Sequence, residues 1–275
     1  MPHLWQYWNW SERMNIIFNH VVVQYDTAPT PALGPVNLII HGGECVLISG
    51  PNGGGKTTFA RVLAGVLLPS SGDLQLSDGR MREEWTENLV GWLQQEPEHQ
   101  IVGTSVEEDI MLSSIWHAKS HQEVLQRTDE ALFRTRLEGM KRRAWDSLSG
   151  GELHLAAVAA ILAQRAQVLV VDEPETMLDS SAQEHIVEIL DQQKRDGRTL
   201  IIISHDSRWI ELADRYLWIA QGEVCELAQH AMFEALHDDW WRFCQGLAEL
   251  KGAAEWTKDS DWCKPRELGQ HLWPF

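Results

Sequence analysis

The sequence predicts an α/β fold: a parallel sheet covered by helices, with an antiparallel part at its edge and an inserted helical stretch. Three observations predict it. Val168–Val171 is apolar at every position, as in a central strand buried on both faces. Strand-like runs alternate with helical ones along the chain. From Ser105 to about Arg165 the texture turns charged and helical without strands, so that stretch is an insertion in the core.

Taken in order, Ile16–Gln24 reads as a strand and Pro35–Ile40 as another, with polar-apolar alternation. His41-Gly42-Gly43-Glu44 is a turn before the short apolar strand Cys45–Ser49. The glycine-rich loop Gly50–Gly55 follows, then a helix from Lys56 to Leu67 that Pro69 and Gly72 end. Leu89–Leu93 is a further strand. Ser105 with Glu108 predicts a capping box opening a helix through Trp116, and Glu107, Glu108 and Asp109 read as helix-start carboxylates rather than metal ligands. After Val168–Val171 come a helix over Ser180–Lys194, Gly197 and the strand Leu200–Ser204. Tyr216–Ala220 and Glu223–Leu227 form a hairpin turning at Gln221-Gly222. The expected organisation is an extension at 1–13, a main domain at 14–228 with its helical part at about 105–165, and a tail at 229–275. The tail is rich in Trp (Trp240, Trp241, Trp256, Trp262, Trp273), which suits packing back onto the domain or docking elsewhere.

Composition narrows the function. The 275 residues, 44% hydrophobic, suffice for a substantial core. No stretch reaches the roughly 18 uninterrupted apolar residues of a membrane-spanning helix. The start, with Trp5, Trp8 and Trp10 among polar residues, lacks the apolar core of a signal peptide. A cytoplasmic protein is expected. The formal charge of −17 disfavours nucleic-acid and anionic-lipid surfaces. Cys45, Cys225, Cys244 and Cys263 form no CxxC pair or zinc spacing, so reduced thiols are expected, and the scattered His residues make no metal cluster.

Gly50-Pro51-Asn52-Gly53-Gly54-Gly55-Lys56-Thr57 fits GxxxxGK[ST] between an apolar strand and a helix. Glycines let backbone N–H groups converge on phosphate oxygens, and the helix adds its positive end. Lys56 is expected to bridge the β and γ phosphates, and the Thr57 hydroxyl to ligate Mg²⁺. Asp172 and Glu173 end the buried strand, where parallel sheets bind ligands. Asp172 would hold Mg²⁺ and Glu173 would position or deprotonate the attacking water. Pro174 disfavours the alternative that both acids merely cap the next helix.

Leu148-Ser149-Gly150-Gly151-Glu152, about twenty residues before the acidic strand end, combines with these motifs to resemble the ABC ATPases. The resemblance covers roughly Ile16 to Leu227. It implies a P-loop NTPase (RecA-like) core with an antiparallel β edge subdomain and an inserted ABC helical subdomain, hydrolysing ATP with Mg²⁺. Tyr25 resembles the aromatic that stacks on adenine, and Thr58 joins the nucleotide-binding set. Gln95 resembles the Q-loop glutamine that meets Mg²⁺ and the water. Asp179 resembles the D-loop aspartate, and His205 the switch histidine at the γ phosphate. Ser149, Gly150 and Gly151 would close on ATP held by a second subunit, so a homo- or heterodimer is implied.

Gln95-Glu96-Pro97-Glu98-His99-Gln100-Ile101-Val102 followed by Val106-Glu107-Glu108-Asp109-Ile110 looks like the energy-coupling-factor ATPases, which drive uptake of vitamins or transition-metal ions. That likeness implies integral membrane scaffold and substrate-binding partners, a place on the cytoplasmic face of the membrane, and a docking groove lined by Gln95 and Pro97. A non-transport ABC ATPase, mechanical or regulatory, is the other reading. Four positions depart from the family pattern: Gly54 for Ser or Cys, Glu152 for Gln, Leu153-His154-Leu155 for a basic segment, and Glu175 for Thr.

Overall fold

The structure, a computed structural model, describes residues 14–26, 28–82, 85, 89–115 and 118–237. The Trp-bearing extension, Trp116 and the tail tryptophans fall outside the described residues.

Two sheets stack around the helix that follows the glycine loop. In the smaller, β1 (Ile16–Val23) pairs antiparallel with β2 (Leu33–Ile40) on one side and β4 (Ser71–Leu76) on the other. The larger also holds β3 (Cys45–Ser49), β5 (Val90–Leu93), β6 (Val168–Asp172), β7 (Thr199–Ile203), β8 (Arg215–Ala220) and β9 (Glu223–Leu227), in the order β5-β6-β7-β3-β8-β9. All but β9 run parallel.

The central strands are apolar throughout because they separate two cores. Leu47, Leu200 and Ile202 face one with Leu93 and Val171; Val46, Ile48, Ile201 and Ile203 face the other with Phe59 and Leu63. The first core belongs to the helical insertion, α2 (Val106–Ile115), α3 (His121–Arg134) and α4 (Gly150–Gln164), together with α5 (Ser180–Arg195). The second lies between the two sheets around α1 (Lys56–Ala64), where Phe18 stacks on Phe59 at 5.0 Å. The last described helix, α6 (Gln229–His237), inserts the fully buried Met232 into the first core.

Local departures from the sequence reading have local causes. The first helix stops at Ala64 rather than Leu67, because Gly65 turns left-handed at φ 75 and Val66 N–H bonds back to Arg61 O. Strand β4 lies where Pro69 and Gly72 read as ending a helix, yet β1 pairs with it from Ile16↔Leu76 to Val22↔Ser71. Gly72 is required there, since a Cβ would lie 2.1 Å from His20 O. The box at Ser105 forms by half: Glu108 N–H donates to Ser105 Oγ at 3.3 Å, while the Glu108 carboxylate turns to Thr104. Asp109 accepts from Val102 N and Gly103 N, 2.8 Å each, and Glu107 pairs with Lys141. Cys45 is a free buried thiol pushed up to about 12 by burial, whereas Cys225 is disulfide-bonded, against the expectation of reduced thiols. Cys225 lies half-buried on the edge strand β9, and spacing along the sequence does not show which residues fold against that edge.

Candidate nucleotide-hydrolysis site

The carboxyl ends of four adjacent parallel strands build one site. The glycine loop leaves β3; His205 follows β7; Asp172 and Glu173 end β6; Gln95 follows β5. Register lines them up, with Ile48 opposite Ile203, Ile203 opposite Asp172 and Leu93 opposite Val171. Four motifs scattered over more than half of the chain thus meet at one edge.

The loop's glycines answer specific crowding. Gly50 has φ 141, and a Cβ on it would come within 2.0 Å of Ile219 O; Gly55 has φ 114, with Ala32 O 2.6 Å away. Inside the loop Lys56, 8% exposed, donates to Gly50 O at 2.6 Å and Pro51 O at 3.0 Å. Burial lowers its pKa, opposed by the charges of Glu173 and Asp172. Tyr25 OH lies 3.3 Å from Thr58 Oγ1, so its ring stands beside the first turn of α1.

Thr57 Oγ1 donates to Asp172 Oδ2 at 3.5 Å. Burial, reinforced by Glu173, pushes the Asp172 carboxyl up to about 6, against the pull of Lys56. A hydroxyl, a buried carboxylate and the amide oxygen of Gln95 make a hard oxygen set of the kind Mg²⁺ takes alongside phosphates and water. Glu173 holds φ 49, a left-handed geometry costing about 1 kcal/mol for a non-glycine residue. Its Oε2 accepts from Gln95 Nε2 at 2.8 Å and Thr176 Oγ1 at 3.3 Å. His205 Nδ1 lies 3.4 Å from Ser49 Oγ; burial and then Lys56 lower its pKa, against the charge of Glu173.

A second group stays apart. Ser149 caps α4, its Oγ accepting from Glu152 N at 3.3 Å while Glu152 Oε2 accepts from Ser149 N at 2.8 Å, a complete capping box. Ser149 and Gly150 are exposed, and Cβ positions built on Gly150 and Gly151 approach Met177 and Leu178 at 3.5–3.7 Å. Asp179 caps α5 by accepting from Ala182 N at 2.8 Å. Among the described residues no hydrogen bond joins Ser149–Gly151 to the glycine loop. The capped N-terminus of α4 thus lies at the surface. Pro97, expected in a docking groove, is buried at the start of the 3₁₀ turn Pro97–Gln100, since a fixed φ and missing N–H suit a first helical position. Val102, two residues past that turn, is 80% exposed.

The motif reading passed over three side chains: Ser49 beside His205, Thr176 on Glu173, and Glu175. The half-buried Glu175 carboxylate accepts from Ser204 Oγ and, at 2.9 Å, from Trp209 Nε1. Burial raises its pKa against both bonds. Its one signal in the sequence is an acid where the family pattern has Thr.

A glycine-rich loop holding a buried lysine, two adjacent carboxylates, a glutamine and a histidine on neighbouring strand ends, plus an exposed capped helix, are the parts of an ATP-hydrolysing cassette. The comparisons agree with this class. The family model described as ABC transporter matches residues 33–176, and the chain belongs to that family as one of its ATP-binding, ATP-hydrolysing members. Within it the chain sides with the energy-coupling factor ATPases. It is 33% identical over 213 residues to the energy-coupling factor transporter ATP-binding protein EcfA1 of Halalkalibacterium halodurans, covering 76% of this chain and 77% of the relative. The EcfA1 of Bacillus subtilis is also 33% identical, over 78% of each chain. Among solved structures, the dimeric cassette MJ0796 in a post-hydrolysis state with ADP and Pi superposes with a TM-score of 0.71 at 26% identity, covering 78% of this chain and 98% of that one. The cbiO1 of Clostridium perfringens, part of the ABC transporter complex cbiONQ, gives 0.69 at 26% identity, over 86% and 100%.

Proposed function

We propose that this ATPase is the energy-coupling subunit of a membrane importer of the energy-coupling-factor type, working as a dimer on the cytoplasmic face beneath integral membrane scaffold and substrate-binding subunits. The observation that carries the catalytic part is the convergence of Gly50–Thr58, Gln95, Asp172, Glu173 and His205 on four neighbouring strand ends. The transport part rests on likeness to the EcfA proteins and to cbiO1. Among the described residues no helix is long and apolar enough to cross a membrane, which suits a subunit that docks.

In this reading the N–H groups of Gly50–Gly55 and the α1 terminus take the β and γ phosphates, and Lys56 exchanges its two carbonyl partners for phosphate oxygens. Tyr25 offers its face to adenine. Thr57, Asp172 and Gln95 would hold Mg²⁺, which would supply charge neutralisation at the phosphates. Glu173, oriented by Gln95 and Thr176, accepts the proton of the attacking water, and His205 Nε2 contacts the γ phosphate. Ser149, Gly150, Gly151 and Asp179 serve the nucleotide held by the second subunit. The region 14–228 acts as the cassette unit, with α6 packed into its first core through Met232.

The test compares Mg-ATP hydrolysis by wild type and Glu173→Gln. Loss of the base lowers kcat by about 10²-fold or more while nucleotide affinity stays within about twofold. Equal slow rates in both proteins would overturn the motor reading.

A further inference from the structure

The 3.4 Å contact between His205 Nδ1 and Ser49 Oγ is too long to fix the imidazole by itself. The loop around His205 is held from beneath instead. Asp206 N donates to Ser204 Oγ at 2.8 Å, and the Ser204 hydroxyl donates to Glu175 Oε1. The backbone on both sides of His205 is therefore tied through one hydroxyl to one carboxylate. The other oxygen takes the Trp209 indole N–H at 2.9 Å, anchoring the far end of the turn Ser207–Ile210. Ser204 and Trp209 are essentially inaccessible, at 0% and 1% exposed, so neither donor finds water if the carboxylate is removed. A second strap runs parallel: Gln183 Nε2 donates to Glu175 O at 3.1 Å, and Gln183 Oε1 accepts from Arg208 Nη1 at 2.7 Å. Glu175 itself lies two residues beyond Glu173 and four before Asp179.

We infer that Glu175 is a positioning residue which sets His205 in register with Glu173. A carboxylate suits the task because it accepts twice without donating, and its reach spans two donors on different turns. The Thr that the family pattern has at this position carries one short hydroxyl and could not hold both. The inference rests on the proposed place of His205 at the γ phosphate. Phosphate affinity comes from the glycine loop and Lys56, which Glu175 does not hydrogen-bond. Its loss should therefore fall on turnover rather than on binding.

The experiment measures kcat and Mg-ATP affinity for the full-length wild type, Glu175→Ala, Ser204→Ala and the double variant, with Glu173→Gln as catalytic control. Each single change is expected to lower kcat about tenfold with affinity within about twofold. The double variant should be no slower than the slower single, because both act through one chain of bonds. Should Glu175→Ala not fold, Glu175→Gln replaces it in the same cycle; it keeps the volume and one acceptor, and an intermediate kcat is expected. Wild-type kcat in the Glu175 variants, weakened affinity at unchanged kcat, or losses that multiply in the double variant would each overturn the inference. If wild type is no faster than Glu173→Gln, it is the catalytic reading that fails. If wild type is faster and the Glu175 and Ser204 variants match it, only the positioning role fails.

Discussion

At the glycine loop, two glycines of similar appearance carry different burdens. Gly50 combines φ 141 with a carbonyl 2.0 Å from any added Cβ, whereas Gly53 has φ 73 and open space around it. Gly50→Ala must therefore push β8 away from the loop, and a loss of at least about 3 kcal/mol is expected in urea denaturation, with Mg-ATP binding abolished. Gly53→Ala meets only the left-handed backbone cost of about 1–2 kcal/mol. Equal denaturation midpoints for the two variants would contradict this assignment. The GxxxxGK[ST] spacing announced the loop but did not rank its glycines, because the crowding comes from Ile219, far along the chain. The partners of Glu173 were hidden in the same way: Gln95 is 78 positions upstream and meets it only because β5 lies beside β6.

At the level of elements, α4 runs from an exposed, capped N-terminus into the first core. His154 on this helix is 2% exposed with Nε2 unpartnered, and burial pulls its pKa down to about 4, with only Glu98 opposing. Between about pH 6.5 and 4 the unfolded chain binds this proton and the folded one does not. Stability therefore falls as pH drops through that window, by up to about 3 kcal/mol from this residue. His154→Leu should flatten the slope of unfolding free energy against pH over that interval, and parallel curves for the two proteins would refute it. Helix boundaries set by glycines and caps were legible to within a few residues. Strand β4 was not, because Ser, Gly and Asp have poor strand propensity and only the free edge of β1 recruits them.

For the molecule as a whole, the exposed N-terminus of α4 and the glycine loop are not hydrogen-bonded to each other among the described residues, and the proposed function pairs them across two copies. Two copies can satisfy both at once, as a two-fold dimer requires. A Glu173→Gln variant should therefore double its molar mass in light scattering on adding Mg-ATP. Gly151→Asp fits the folded chain, since a Cβ there makes ordinary contact with Leu178 at 3.5 Å. In the proposed dimer the added carboxylate would face the second copy's phosphates, so this change should abolish the ATP-driven mass increase while single-chain nucleotide affinity stays within about twofold. A normal dimer from Gly151→Asp would remove Ser149–Gly151 from the composite site.

The sequence by itself determined the kind of chemistry, because a phosphate loop, a helix cap or a strand-end acid pair is specified by residues within a few positions of one another. Such local rules also revealed most of the sheet, since strands buried on both faces must be apolar throughout. Only the tertiary structure decided the strand order β5-β6-β7-β3, and with it that Gln95 grips Glu173 and that Glu175 reaches the His205 loop. The reason is that hydrogen bonds across tens of residues depend on which strands become neighbours, and apolar periodicity shows that a strand is buried without showing beside what.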